Sequence, residues 1–120
     1  MAVQFEEVYE EKLRSAAPDA SASVNIQSKG AQAIRAFWRV ASASGGSTDQ
    51  TGDMKAQHSD NGTDWTDVPD GAFGQVSQGC TFPAEQTLTI YPTRKYLRWQ
   101  MTHGGTTKSA TWALEVTYLT

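Results

Sequence analysis

Four aspartates crowd one stretch of the chain, at positions Asp60, Asp64, Asp67 and Asp70. Hard cations such as calcium take several oxygen ligands from a tight loop, and Asp60-Asn61-Gly62-Thr63-Asp64 sets oxygens close together. The loop lacks the Asp-x-Asp-x-Asp-Gly run with a distant glutamate that an EF-hand requires. Asn-Gly between two alternating segments is instead the signal of a tight hairpin. Asp67 and Asp70 then flank a second turn around Pro69. Paired carboxylates also serve glycoside hydrolysis, where an acid and a base stand a set distance apart. Aspartates in the turns of so short a chain do not build the deep cleft that this chemistry needs.

Nucleophilic catalysis needs Ser, Cys or Thr beside a base held by a third group. His58 lies between Gln57 and Ser59, His103 precedes Gly104-Gly105, and no G-x-S-x-G elbow occurs. Cys80 follows Gly79 with no basic neighbour to depress its pKa, so it reads as a half-buried thiol. Two histidines and one cysteine far apart in sequence make a poor zinc set. These residues lead to the expectation of a non-enzyme with no cofactor and no metal.

Aromatics and arginines are the better lead. Trp38, Trp99 and Trp112 fall on the apolar phase of alternating segments and are expected in the core, while Trp65 follows the hairpin and is expected to cover one end of it. Arg35, Phe37 and Arg39 take the opposite phase to Trp38 and Val40. Arginine with an aromatic on an outer face is the composition of an interface centre. If Arg98 shares that face with Arg35 and Arg39, the three make a basic patch on a chain of net charge −3. Phe5 and Tyr9 complete the set of interface candidates.

The elements that must position these residues are strands. Ile34, Ala36, Trp38 and Val40 alternate with Arg35, Phe37 and Arg39, and the same period runs through Met54 to His58, Leu88 to Ile90, Leu97 to Met101, and Trp112 to Tyr118. Period two over such lengths marks strands with one buried face. Ser44-Gly45-Gly46-Ser47, Asp60-Asn61-Gly62, Pro69-Asp70-Gly71 and His103-Gly104-Gly105 carry turn chemistry. Short strands at this spacing with no interior helix predict an all-β antiparallel sandwich, jelly-roll or immunoglobulin-like, of seven or eight strands. Residues 24–120 form that domain, and residues 1–23 an N-terminal arm and linker. Within the arm, Phe5, Val8, Tyr9, Lys12 and Leu13 fall at helical spacing. A short amphipathic helix or an unstructured arm docked on a neighbouring subunit is expected there. Ser15 to Ser23 reads as linker.

Composition narrows the classes further. Twelve aromatics (four each of Phe, Trp and Tyr) and a modest net charge exclude the disordered class. The acidic balance carries no nucleic-acid footprint. No apolar run reaches the ~18 residues of a spanning helix, so no membrane partner is expected. The acidic start Met1 to Glu7 has no apolar signal region.

The block Met54-Lys55-Ala56-Gln57-His58-Ser59-Asp60-Asn61-Gly62-Thr63-Asp64-Trp65-Thr66-Asp67-Val68 resembles the hairpin of small virion proteins from tailed bacteriophages, whose core is S-D-(D/N)-G-x-x-(W/F)-x-D-V and a looser form of which occurs in discoidin-type jelly rolls. In that group an A-F-G-x-V segment follows, here Ala72 to Val76. A basic-tyrosine strand comes next, here Arg94 to Trp99, and then Gly104-Gly105-Thr106-Thr107 before a last strand, here Ala110 to Leu119. The resemblance covers about Gly30 to Thr120, and the Phe5–Arg14 segment has no counterpart in it. It implies a structural virion protein of the capsid decoration or cement type. Such a protein sits on the capsid surface as a small homo-oligomer, a dimer or trimer, and its partner is the major capsid protein. A carbohydrate-binding module, or another tail- or head-associated β-sandwich, is the alternative.

Overall fold

The computed structural model describes residues 3–15, 20–44, 48–106 and 108–120. Nine strands occur among them: β1 (Val3–Arg14), β2 (Val24–Asn25), β3 (Ala33–Ala43), β4 (Thr51–Ser59), β5 (Thr66–Ala72), β6 (Val76–Ser77), β7 (Ala84–Ile90), β8 (Tyr96–Gly104) and β9 (Ala110–Leu119). One sheet has the order β1-β9-β3-β7; the other has β2-β8-β4-β5, with β6 also on β4. All the pairings are antiparallel.

The pairing is nested. First pairs with last, β2 with β8, β3 with β7, and β4 with β5, as if one long hairpin had been folded across itself. That is the arrangement of a jelly roll, and it realises the all-β antiparallel sandwich expected from period-two patterning. The core lies between the sheets. Ile34, Ala36, Trp38 and Val40 of β3, and Trp112, Leu114, Val116 and Tyr118 of β9, face Met54, Ala56, Leu97, Trp99 and Met101 of the second sheet. Phe73, from the segment after β5, wedges between the layers with its ring 5.5 Å from Trp38 and 6.1 Å from Trp99. Gln86 of β7 clips this segment in place: its amide accepts from Gly74 N–H at 2.8 Å and donates to Gly74 O at 2.9 Å.

Two local expectations are corrected. The segment expected as a helix or free arm, Phe5 to Arg14, is part of strand β1, hydrogen-bonded along β9. Its register slips between Glu7 and Tyr9 and again between Tyr9 and Lys12. Each slip shifts the alternation, so the sequence neighbours Val8 and Tyr9 are both half-buried and period two is lost, while Phe5, Lys12 and Leu13 of the helical set are exposed. Pro69-Asp70-Gly71, expected as a turn, lies inside β5 as an irregularity opposite Ala56, with Asp70 at φ 57°. The Asp60-Asn61-Gly62 hairpin is as expected. Gly62 takes φ 77°, and Asn61 Oδ1 accepts from Thr63 N–H and Asp64 N–H, both at 2.8 Å. The expected turn at Gly45-Gly46-Ser47, part of the linker at residues 16–19, and Thr107 lie outside the described residues.

Candidate interaction surfaces

The outer face of the β1-β9-β3-β7 sheet gathers most of the arginine and aromatic candidates. Strand register sets Phe5, Thr117, Arg35 and Thr89 in one row across it. The next row is Glu7, Glu115, Phe37 and Thr87. Phe5 is 65% exposed, and Tyr91, which follows β7, is 68% exposed. Phe37 is half-buried and Arg35 exposed. Among the described residues Arg35, Glu7 and Glu115 form no ion pair. Arg39 differs: it is hydrogen-bonded to Glu11 of β1 and lies 3.7 Å from Glu85 of β7, tying both edge strands to the middle of the sheet.

Tyr9 and Arg98 lie elsewhere. Tyr9 points inward, its ring edge-on to Trp112 at 4.9 Å. Burial pushes its phenol above the ordinary value, partly offset by the Arg14 charge. Arg14 packs on the same indole at 4.0 Å and donates to Trp112 O at 2.6 Å and Glu10 O at 2.6 Å. These two side chains anchor β1 to β9.

Arg98 is on β8, so it faces outward from the opposite sheet, and the expected patch of Arg35, Arg39 and Arg98 does not form. The two arginines of β3 and the one of β8 belong to opposite faces of the sandwich. Arg98 lies over the Trp65 ring at 4.5 Å, so Trp65 packs on the outer face rather than over the end of the core. Arg98 Nε donates to Gln57 Oε1 at 2.9 Å, Gln57 Nε2 donates to Asp67 Oδ1 at 3.0 Å, and Lys55 Nζ sits 3.1 Å from that oxygen. The hydrogen bonds from Gln57 and then Lys55 hold the Asp67 carboxyl below its ordinary range. This cross-strand ladder links its charged and amide groups to one another. Asp64 likewise accepts from Asn61 Nδ2 at 2.8 Å.

A third feature lies where loops meet at one end. A cleft of about 310 Å³ is lined by Ile26, Gln27, Ala31, Asp60, Pro92, Thr93, Arg94 and Lys95. Sequence reasoning missed it because three loops far apart in the chain build it; the Arg94-Lys95 pair after Pro92 was its one visible trace. Beneath it His58 is buried, and its Nδ1 accepts from Thr93 N–H at 3.3 Å. At the other end His103 is buried with Nε2 3.0 Å from Gln50 Oε1. Burial, then the Arg94 charge, lowers the His58 pKa; burial, then Lys108, lowers that of His103.

No family model and no curated protein matches the chain. Solved structures with the same fold do. The PBSX exported protein XepA superposes with a TM-score of 0.60 at 15% identity over 96% of this chain. The chain spans only 36% of the length of XepA. The SPBc2 prophage-derived protein YomS gives a TM-score of 0.53 at 8% identity, covering 97% of this chain and 93% of YomS. The C-terminal family 22 carbohydrate binding module of Clostridium thermocellum Xyn10B gives 0.50 at 13% identity, covering 98% and 80%. At such identities the likeness establishes the jelly-roll sandwich, and function has to be argued from surfaces.

Proposed function

We propose that this chain is a non-catalytic structural component of a phage-type virion, a decoration or cement protein that docks on the capsid surface and bridges copies of the major capsid protein. The observation that carries this reading is the outer face of the β1-β9-β3-β7 sheet. Half-buried Phe37 and unpaired Arg35 lie on its inner strand β3, exposed Phe5 joins them from the edge strand β1, and the Glu11-Arg39-Glu85 cluster lies at its side. Aromatics and arginine inside a polar rim are the composition of protein–protein contacts. Glu7 and Glu115 stand directly opposite each other across β1 and β9, which is unfavourable in isolation. A basic side chain on a partner would relieve that repulsion, while Arg35 meets an acidic one. Such complementarity sets register and suppresses wrong partners. The shared fold with a prophage-derived protein and the hairpin resemblance support the same reading. A protein that binds the assembled shell but not free coat subunits stabilises the shell by mass action. As a dimer or trimer it would clamp several subunits at once.

Co-sedimentation tests this. The purified chain is mixed with shells assembled from the major capsid protein encoded nearest to it. The expected result is saturable co-sedimentation that Arg35→Glu weakens by about tenfold or more, the scale of one desolvated charge contact, with an unchanged melting temperature. A chain that stays in the supernatant, or binding indifferent to Arg35→Glu, contradicts the reading.

A further inference from the structure

We propose that the loop cleft between Ile26, Asp60 and Arg94 is a binding site for a neutral saccharide. The inference stands apart from the capsid reading, since it uses the opposite phase of the molecule: loop tips instead of a sheet face. The volume, about 310 Å³, lies at the small end of ligand pockets. Its lining mixes polar Gln27, Asp60, Thr93, Arg94 and Lys95 with half-buried Ala31 and Pro92, and the core residue Ile26 closes its base. The side chains of Gln27, Asp60, Thr93, Arg94 and Lys95 make no hydrogen bond among the described residues, whereas the ladder on the β8-β4-β5 face is hydrogen-bonded across its strands; the Lys95 ammonium lies over the Tyr96 ring at 5.3 Å. Asp60 and Arg94 form an ion pair at 3.6 Å across the rim, and at that length each keeps hydrogen-bond donors or acceptors for a ligand.

That capacity is of two kinds. Arg94 and Lys95 only donate, the Asp60 carboxylate only accepts, and Gln27 does both. A sugar hydroxyl is itself donor and acceptor, and adjacent hydroxyls satisfy a carboxylate and a guanidinium together. The C–H face of the ring then lies against Ala31 and Pro92. A phosphate or sulfate would meet the two cations but also the Asp60 carboxylate, which repels it. The frame is held before any ligand arrives. Lys95 O accepts from Ile26 N–H at 3.0 Å, Ala31 N–H donates to Ile26 O at 3.2 Å, and Thr93 N–H donates to His58. Pre-set loops spare a ligand the cost of ordering them.

The test is an amide-resolved NMR titration of the ¹⁵N-labelled chain with chitotetraose, cellotetraose, xylotetraose and mannotetraose separately, and with inorganic phosphate. At least one oligosaccharide should move the amides of Gln27, Asp60, Thr93, Arg94 and Lys95 in a saturable way. Asp60→Asn and Arg94→Ala should each weaken that binding about tenfold, as expected when one partner of a polar contact is lost. Trp65→Ala should leave it unchanged. Gln27→Ala, at an exposed loop position, serves as a second variant should Arg94→Ala disturb the loop. The proposal is overturned if none of the four sugars moves these amides, or if the shifts gather around Trp65 and Arg98. It is also overturned if phosphate binds best and Asp60→Asn tightens it, which would make the cleft an anion site. Loss of sugar binding with intact shell binding would leave the capsid reading standing, and the reverse holds as well.

Discussion

Arg14 shows how much one side chain can carry in a sandwich of this size. Its guanidinium is buried, stacks on Trp112 and donates to backbone carbonyls on both β1 and β9. Hydrogen bonds to a charged group contribute about 1.5–3 kcal/mol each. Arg14→Ala should therefore lower unfolding free energy by roughly 2–3 kcal/mol, read from urea midpoints. Arg14→Lys should recover only part, because a point charge cannot span the carbonyls that a planar fork reaches. The histidines give a pH prediction. His58 and His103 have folded-state pKa values below their ordinary 6.5, so between those values the unfolded chain binds more protons than the folded one. Stability is then constant above about pH 6.5 and falls as pH drops below it. Urea melts between pH 7.5 and 5 should show that decline, and His103→Gln should reduce it to the share of His58; a pH-independent midpoint would contradict the burial argument. Asp67, held below its ordinary 3.8, adds a second loss at still lower pH as it protonates. At this scale the sequence was readable where pattern and chemistry agree. Trp38, Trp99 and Trp112 sit in the core as their alternation predicts, and Asn61-Gly62 makes its turn. Trp65 and Arg98 were not readable, because period two reveals that a residue faces outward but not from which sheet.

The elements explain the two local misreadings. β1 is rich in glutamate, a weak strand former, and its two register slips break the period that would have marked it. Pairing with β9 and the Tyr9 and Arg14 anchors on Trp112 override its composition. The same slips and charges make β1 a poor template for further strand pairing, which an exposed edge needs. β5 is the parallel case: Pro69-Asp70-Gly71 has turn composition, yet the chain resumes the ladder at Ala72 opposite Lys55. A Cβ on Gly71 would lie 2.8 Å from Val68 O, a backbone atom with no freedom to swing away. Gly71→Ala should cost about 1–3 kcal/mol, the usual scale of overpacking, as a lowered melting temperature. Gly79→Ala, where nothing lies within 4 Å, should change stability little. Equal effects at the two glycines would show that the irregularity in β5 is not packed as described.

For the whole molecule, nested pairing decides which residues share a surface. Arg35 and Arg98 are both outward-facing strand arginines in sequence, and the jelly-roll order sends them to opposite sides. It also draws residues 26–31, Asp60 and 92–95 into one cleft that no local pattern announces. The fold class was therefore legible from alternation and turns, while the grouping of side chains into surfaces depended on topology. A cryo-EM reconstruction of coat shells incubated with this chain tests the central claim most directly. The docking proposal predicts density for the sandwich on the shell exterior with Phe5, Arg35 and Phe37 turned toward the coat subunits. Bare shells, or shells gripped through the Trp65–Arg98 face or the loop cleft, would contradict it.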